Sequence, residues 1–325
     1  MKKLLILAAA AAVGLTSCSK EDGARTHEGG EVIEFRGVVE KTRASLTDTD
    51  FRSFFVSAFR ADEAATFGFL NASVYKNGAA WEYAPEKYWP IDGTAVSFFA
   101  YAPVKDVNMT TPLATDGTFG YTVPADQSNN NHAADLLVAS DSDVTATSNG
   151  GAVVLEFDHA LSAVNFTAEN LSTNPAELMF TVRAAELVAL NTVGTYTYGT
   201  GWSALGTPLD YKSSVRNTAV GVGETEQLLS TNDFLMVLPQ VVDPATQNVK
   251  ITFSVKDGEG QYIYEDAELV LDFPAGFEFV AGKRYNFTFT FDATSNGGLL
   301  NPIMFTVTLN DWEDETPDPE VTPVP

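Results

Sequence analysis

The sequence predicts an all-β protein made of antiparallel β-sandwiches. Three features of its 325 residues carry that expectation. Apolar and polar residues alternate with period two in many short runs, turn formers separate the runs, and helical signals are few.

The runs follow one another along the chain. Ile33-Glu34-Phe35 comes first, then Phe54 to Phe59 and Val96 to Tyr101. Val153 to Phe157, Val164-Asn165-Phe166, Ile251 to Val255 and Tyr285 to Phe291 continue the series. The last is the clearest: Tyr285, Phe287, Phe289 and Phe291 share one face, with Asn286, Thr288 and Thr290 on the other. Lys76-Asn77-Gly78, Ile91-Asp92-Gly93, Asp116-Gly117 and Asp257-Gly258 read as turns between strands. Residues 175–190 could hold a short turn, although Met179 to Val182 reads equally well as strand. The polar stretches 126–132 and 140–151 read as loops, and the second is the best candidate for a domain boundary. That places two domains at 44–151 and 152–312, followed by a proline-rich acidic tail at 313–325. No internal repeat of 20–50 residues and no heptad pattern is evident.

The first residues carry a different signal. Lys2 and Lys3 precede an unbroken apolar or small run from Leu4 to Leu15, too short to span a bilayer but the size of a secretory h-region. Leu15-Thr16-Ser17-Cys18 resembles the lipobox of bacterial lipoproteins, in which the cysteine is acylated and becomes the new N-terminus. Residues 1–17 then read as signal peptide, residues 18–43 as a lipidated propeptide, and Cys18 as an attachment to outer-membrane lipid. The alternative is an ordinary secreted protein with an incidental cysteine. Cys18 is the only cysteine, so no disulfide can form within one chain. Ser19-Lys20-Glu21-Asp22 resembles the signal that routes some Bacteroidetes lipoproteins to the cell surface, or is simply a polar tether.

Composition narrows the function classes. The net charge is −24, and residues 1–17 contribute two lysines and no acid, so their removal leaves the chain more acidic still. Such a surface repels nucleic acid and anionic headgroups, which require clustered Lys and Arg. Hydrophobic residues at 45% are ample for real cores, so the acidity does not signal disorder.

Signals for catalysis are poor. His27, His132 and His159 lack the spacing that places two ligands on one helical face, and no GxSxG elbow exists. Gly221-Val222-Gly223 begins like a nucleotide loop, but Glu226 stands where the third glycine belongs. Asp141 and Asp143 read as solvated loop acids, and His159 as a hydrogen-bonded structural histidine. No enzyme, cofactor or metal site is expected. Trp81, Tyr83, Tyr88, Trp89, Tyr101 and Trp202 could form a sugar-stacking platform, which would suit a surface-anchored glycan-binding lipoprotein. Core filling is the competing reading for them.

Several stretches together resemble the fimbrillin family of Bacteroidales, the subunits and accessory proteins of type V pili. They are Thr42-Arg43-Ala44, FFVSAF at 54–59, Tyr88-Trp89-Pro90 and VSFFAYAP at 96–103. DLLVA at 135–139, LEFDHALSAVNF at 155–166, AGKRYNFTFTF at 281–291 and Asn310-Asp311-Trp312 follow in order. The resemblance implies two transthyretin-like β-sandwich domains in tandem and export as a surface-exposed outer-membrane lipoprotein. It also implies cleavage after Arg43, before Ala44, by an arginine-specific protease. Polymerisation by strand exchange would then build a fimbrium that adheres to a host or bacterial surface glycan or protein. The partners so implied are other copies of the chain or sibling fimbrial subunits. The proline-rich tail after Trp312 departs from the family pattern.

The residues suggest which strands would exchange. Ile33, Phe35 and Val39 can share one face of an extended segment at 32–39, a removable first strand of the N-terminal sandwich. Near the other end, Ile303, Phe305, Val307 and Leu309 face one way, and Met304, Thr306 and Thr308 the other. This segment is the candidate donor; a permanent strand of the C-terminal sandwich is the equal alternative.

Overall fold

A computed structural model describes residues 26–27, 30–38, 51–61, 70–104, 108–128, 135–172, 178–215, 217–230, 233–292 and 304–311. Among these the protein is all-β, with one short 3-10 turn at Ser148–Gly151 and no α-helix. The strands build two β-sandwiches, each around its own hydrophobic cluster.

The first sandwich has a six-stranded antiparallel sheet. Its order is Asp158–His159, Leu137–Val144, Val96–Ala102, Ser53–Arg60, Leu70–Asn77 and Ala80–Glu82. Alternation explains the inner face: Phe54, Val56 and Ala58 are buried, as are Val96, Phe98 and Ala100. Among the described residues, the strands facing them are Glu34–Val38 and Ala152–Glu156, paired in parallel with Phe35 opposite Val153. Phe157 and Phe51 close the cluster, their rings 4.9 Å apart.

In the second sandwich, Met179–Thr197 is the organising strand. It pairs with Asn248–Lys256 and Thr118–Thr122, and also with Gly201–Lys212 and Thr218–Val220. Tyr262–Asp272 lies outside Asn248–Lys256, at the end of that sheet. Nineteen residues cannot stay flat against so many partners, and the ladder shifts register near Arg183 and Ala189. Ala189 has φ 55°; its amide donates to Asp210 Oδ1 and its carbonyl accepts from Gln247 Nε2, both at 3.0 Å. The facing sheet runs Thr225–Gln227, Ser162–Asn170, Lys283–Phe291 and Met304–Asp311, with Leu235–Val237 also on Ser162–Asn170.

Among the described strands two pairings are parallel, against the antiparallel expectation: Glu34–Val38 with Ala152–Glu156, and Ser162–Asn170 with Lys283–Phe291. Parallel neighbours need a long connection. In both cases the intervening chain supplies strands of the opposing sheet, so the connection is itself structure.

Other expectations shift in detail. Residues 140–144 are strand rather than loop, because Ser140 and Asp141 pair with Phe99 and Phe98. Asp141 and Asp143 therefore sit on a strand, where burial pushes the Asp141 carboxyl up. Residues 179–190 are strand throughout. Ala152 to Phe157 packs into the first cluster, whereas Phe119 to Val123 packs into the second. His159 is a buried structural residue whose Nδ1 lies 2.8 Å from Asp135 Oδ1.

Candidate functional site

In the first core, Glu34–Val38 comes first along the chain and pairs with Ala152–Glu156, more than a hundred residues later. Ile33-Glu34-Phe35-Arg36 alternates, so an extended backbone turns Ile33 and Phe35 inward and leaves Glu34 and Arg36 exposed. The strand lies in a slot built by the rest of the sandwich.

The slot is aromatic at its centre. Phe35, only 4% exposed, meets Phe54, Tyr83 and Phe98 edge to face, with ring centroids 5.9, 5.3 and 5.9 Å away. Each such pair adds about 0.5–1.5 kcal/mol beyond the burial of its area. Burial of the Ile33 and Phe35 side chains contributes about 1.5–3 kcal/mol apiece.

Backbone pairing changes partner along the segment. Residues 31–33 run against 87–89: Ile33 N–H donates to the Lys87 carbonyl and Trp89 N–H to the Glu31 carbonyl, both at 2.9 Å. Val32 bridges Tyr88. From Glu34 onward the partner is Ala152–Glu156. Tyr83 sits at the crossover. Its hydroxyl donates to the Ile33 carbonyl at 3.0 Å and accepts from the Lys87 amide at 3.1 Å. Burial pushes the Tyr83 hydroxyl above its ordinary 10.0, so it stays a donor at neutral pH. Trp89 closes the end of the slot: it is buried, and its Nε1 donates to the Gly151 carbonyl at 3.2 Å. Gly151 has φ +86°, and a Cβ there would run into the Glu31 carboxylate.

Phe35 and Ile33 thus occupy the positions expected from alternation. Cys18, Val39, Arg43, Ala44 and Ile303 lie outside the described residues, as do the signal peptide and the tail. The backbone of Met304–Asp311 forms the end strand of its sheet, antiparallel to Lys283–Phe291, with Phe305, Val307 and Leu309 opposite Phe289, Phe287 and Tyr285. The six aromatics considered for a sugar platform do not share a surface. Trp89 and Tyr101 are buried, Trp81 and Tyr83 pack on the first core, Tyr88 is half-buried and bridges Val32, and Trp202 packs on the second core. Among the described residues no group of three His, Cys, Asp or Glu side chains could hold a metal.

A family model described as fimbrillin-like matches residues 42–312, which include the slot walls but not Glu34–Val38. No curated protein matches the chain. A crystal structure of a fimbrial protein from Bacteroides vulgatus superposes with a TM-score of 0.63 at 18% identity, covering 86% of this chain and 99% of that one. A candidate cell adhesion protein from Bacteroides ovatus gives 0.55 at 17% identity, covering 89% and 100%. At such identities the likeness carries the fold alone.

Proposed function

The chain belongs to the fimbrillin-like family, and from that membership we propose that it is a structural subunit of a cell-surface fimbria, mediating adhesion rather than catalysis. It is exported as a lipoprotein precursor through the signal at 1–17 and held at the outer membrane by acylated Cys18. An arginine-specific protease cuts between Arg43 and Ala44, and the segment 18–43 departs with the strand Glu34–Val38. The emptied slot then takes a strand from another subunit.

One observation carries this reading. Glu34–Val38 precedes every other strand of its core and pairs in parallel, so no tight turn joins it to its neighbour Ala152–Glu156. A break between Val38 and Phe51 leaves all other strands of the sandwich connected. Its removal exposes an apolar slot with unpaired backbone groups, which accepts strand addition.

The test is processing in the native host. Arg43→Ala accumulates as lipidated monomer, and Phe305→Asp is cleaved but forms no multimers resistant to sodium dodecyl sulfate. Assembly of Arg43→Ala at the wild-type level would sink the proposal.

A further inference from the structure

We propose that Ile91 of one copy docks in a pocket of the second sandwich of another copy, bounded by Leu178, Met179 and Val222. This is a head-to-tail contact between side chains. Both surfaces are complete while Glu34–Val38 fills the slot, so the proposal does not rest on strand exchange.

Ile91 is 88% exposed, the highest value of any large hydrophobic among the described residues. A single exposed isoleucine is ordinary on a protein surface. This one is held out on a fixed turn. Gly93, at φ +76°, donates its N–H to the Pro90 carbonyl at 3.1 Å and closes the turn. Asp92 Oδ1 accepts from the Thr94 amide at 3.0 Å, and Asp92 Oδ2 accepts from Arg60 Nη2 at 3.1 Å. On the other side Trp89 N–H is tied to the Glu31 carbonyl. The backbone around Ile91 is therefore ordered before any partner arrives, which lowers the entropy lost on contact.

The pocket has a volume of about 380 Å³. Leu178, Met179 and Val222 line it, with glycine-bearing turns beside them and Lys256 among its walls. Met179 and Val222 are exposed there. Buried Asn170 fastens the walls together: its Nδ2 donates to the Leu178 and Val220 carbonyls at 3.1 and 3.2 Å, and its Oδ1 accepts from the Ser172 amide at 3.1 Å. The concavity is preformed and apolar.

Turn and pocket lie at ends of the two sandwiches remote from their junction. The sandwiches meet where Phe99 packs on Tyr198, just past Thr197, with ring centroids 5.0 Å apart. The Ile91 turn precedes the strand Val96–Ala102 that carries Phe99, whereas Met179 opens the nineteen-residue strand that ends at Thr197. At ~3.3 Å per residue that strand spans about 60 Å, so Ile91 cannot reach the pocket of its own chain. Val241, Val270 and Tyr75, the next most exposed hydrophobics, lie along strands, and only Ile91 of these four stands on a turn that can enter a concavity. Charge agrees with the pairing: the half-exposed Asp92 flanks Ile91, and Lys256 stands in the pocket with its ammonium 4.4 Å from the Tyr262 ring centroid. Two different patches in contact make a heterologous interface, which repeats from copy to copy.

The experiment is sedimentation velocity on the whole chain from residue 18, expressed without the signal segment and left uncut at Arg43. The wild-type chain should associate weakly as concentration rises. Ile91→Asp and Met179→Asp should each weaken association at least tenfold; both positions are exposed, so both variants keep the fold. An equimolar mixture of the two variants should form dimers and nothing larger, because one retains the pocket and the other the turn. A mixture that stays monomeric while the wild-type chain associates would overturn the proposal. So would Ile91→Asp associating as well as wild type, or a wild-type chain still monomeric at about 1 mM. Because the slot stays filled throughout, failure here leaves strand exchange untouched.

Discussion

The hydroxyl of Tyr198 donates to the backbone carbonyl of Ala100 at 2.6 Å, joining the two sandwiches. Tyr198 lies at the tip of the hairpin between Met179–Thr197 and Gly201–Lys212, and Ala100 lies on the central strand Val96–Ala102. Around the bond the Tyr198 ring meets Phe99 at 5.0 Å, and Phe119 meets both Tyr196 and Tyr101. Trp202 Nε1 donates to the Ala160 carbonyl at 2.6 Å nearby.

Tyr198→Phe keeps the ring and removes only the hydrogen bond. It should lower stability by about 1 kcal/mol, read as a shifted denaturant midpoint. Tyr198→Ala, which also removes the aromatic contacts, should cost about 3–5 kcal/mol. Equal midpoints for wild type and Tyr198→Phe would show that the bond contributes nothing.

Alkaline stability should decline in a defined window. Burial pushes the hydroxyls of Tyr196 and Tyr285 up to about 12 from the ordinary 10.0. Between those values the unfolded chain has released protons that the folded chain retains, so rising pH favours unfolding. The contribution of these tyrosines is complete below pH 10.0 and is lost as pH climbs through about 12. The Tm should hold steady up to pH 10 and then fall, with part of the tyrosinate absorbance appearing late; a flat Tm across the window contradicts the assignment.

Phe35→Ala should destabilise the first core by about 3–5 kcal/mol, because the pocket is walled by rings already packed against others. Phe35→Leu should cost less than Phe35→Ala but remain measurable. Hydrogen exchange at 152–156 should speed up in both variants, while exchange at 283–291 stays unchanged. Uniform acceleration across both segments would mean that the two cores unfold as one unit.

Cys18→Ala should abolish incorporation of radioactive palmitate and leave the precursor uncleaved by the lipoprotein peptidase. Labelling that persists in this variant would place the lipid elsewhere.

Much of the fold is legible in the sequence wherever one face is buried and the other wet. Tyr285, Phe287, Phe289 and Phe291 are all buried, as their alternation requires, and the intervening residues are partly exposed. The long strand Met179–Thr197 is less legible, because its bulges break the period at Arg183 and Ala189. Pairing is not legible at all. Period two names the buried face but not the neighbour, so the parallel partnership of Phe35 with Val153 leaves no local trace. The slot was half visible. Ile33 and Phe35 stand out by alternation, whereas Tyr83 and Trp89 look like surface aromatics until the fold brings Ile33 and Gly151 beside them.

The parallel docking of Glu34–Val38 has a consequence for concentration. While residues 39–50 connect it to the rest of the sandwich, the strand is its own ligand, present at an effective concentration on the order of millimolar. At that level it rebinds faster than any partner can arrive, and the slot stays closed to competitors. One peptide-bond cleavage in the connection changes no contact in the slot, yet it removes this advantage. If the connection is cut as proposed, the same strand competes at the protein's own dilution, and a more abundant, better-fitted strand would displace it.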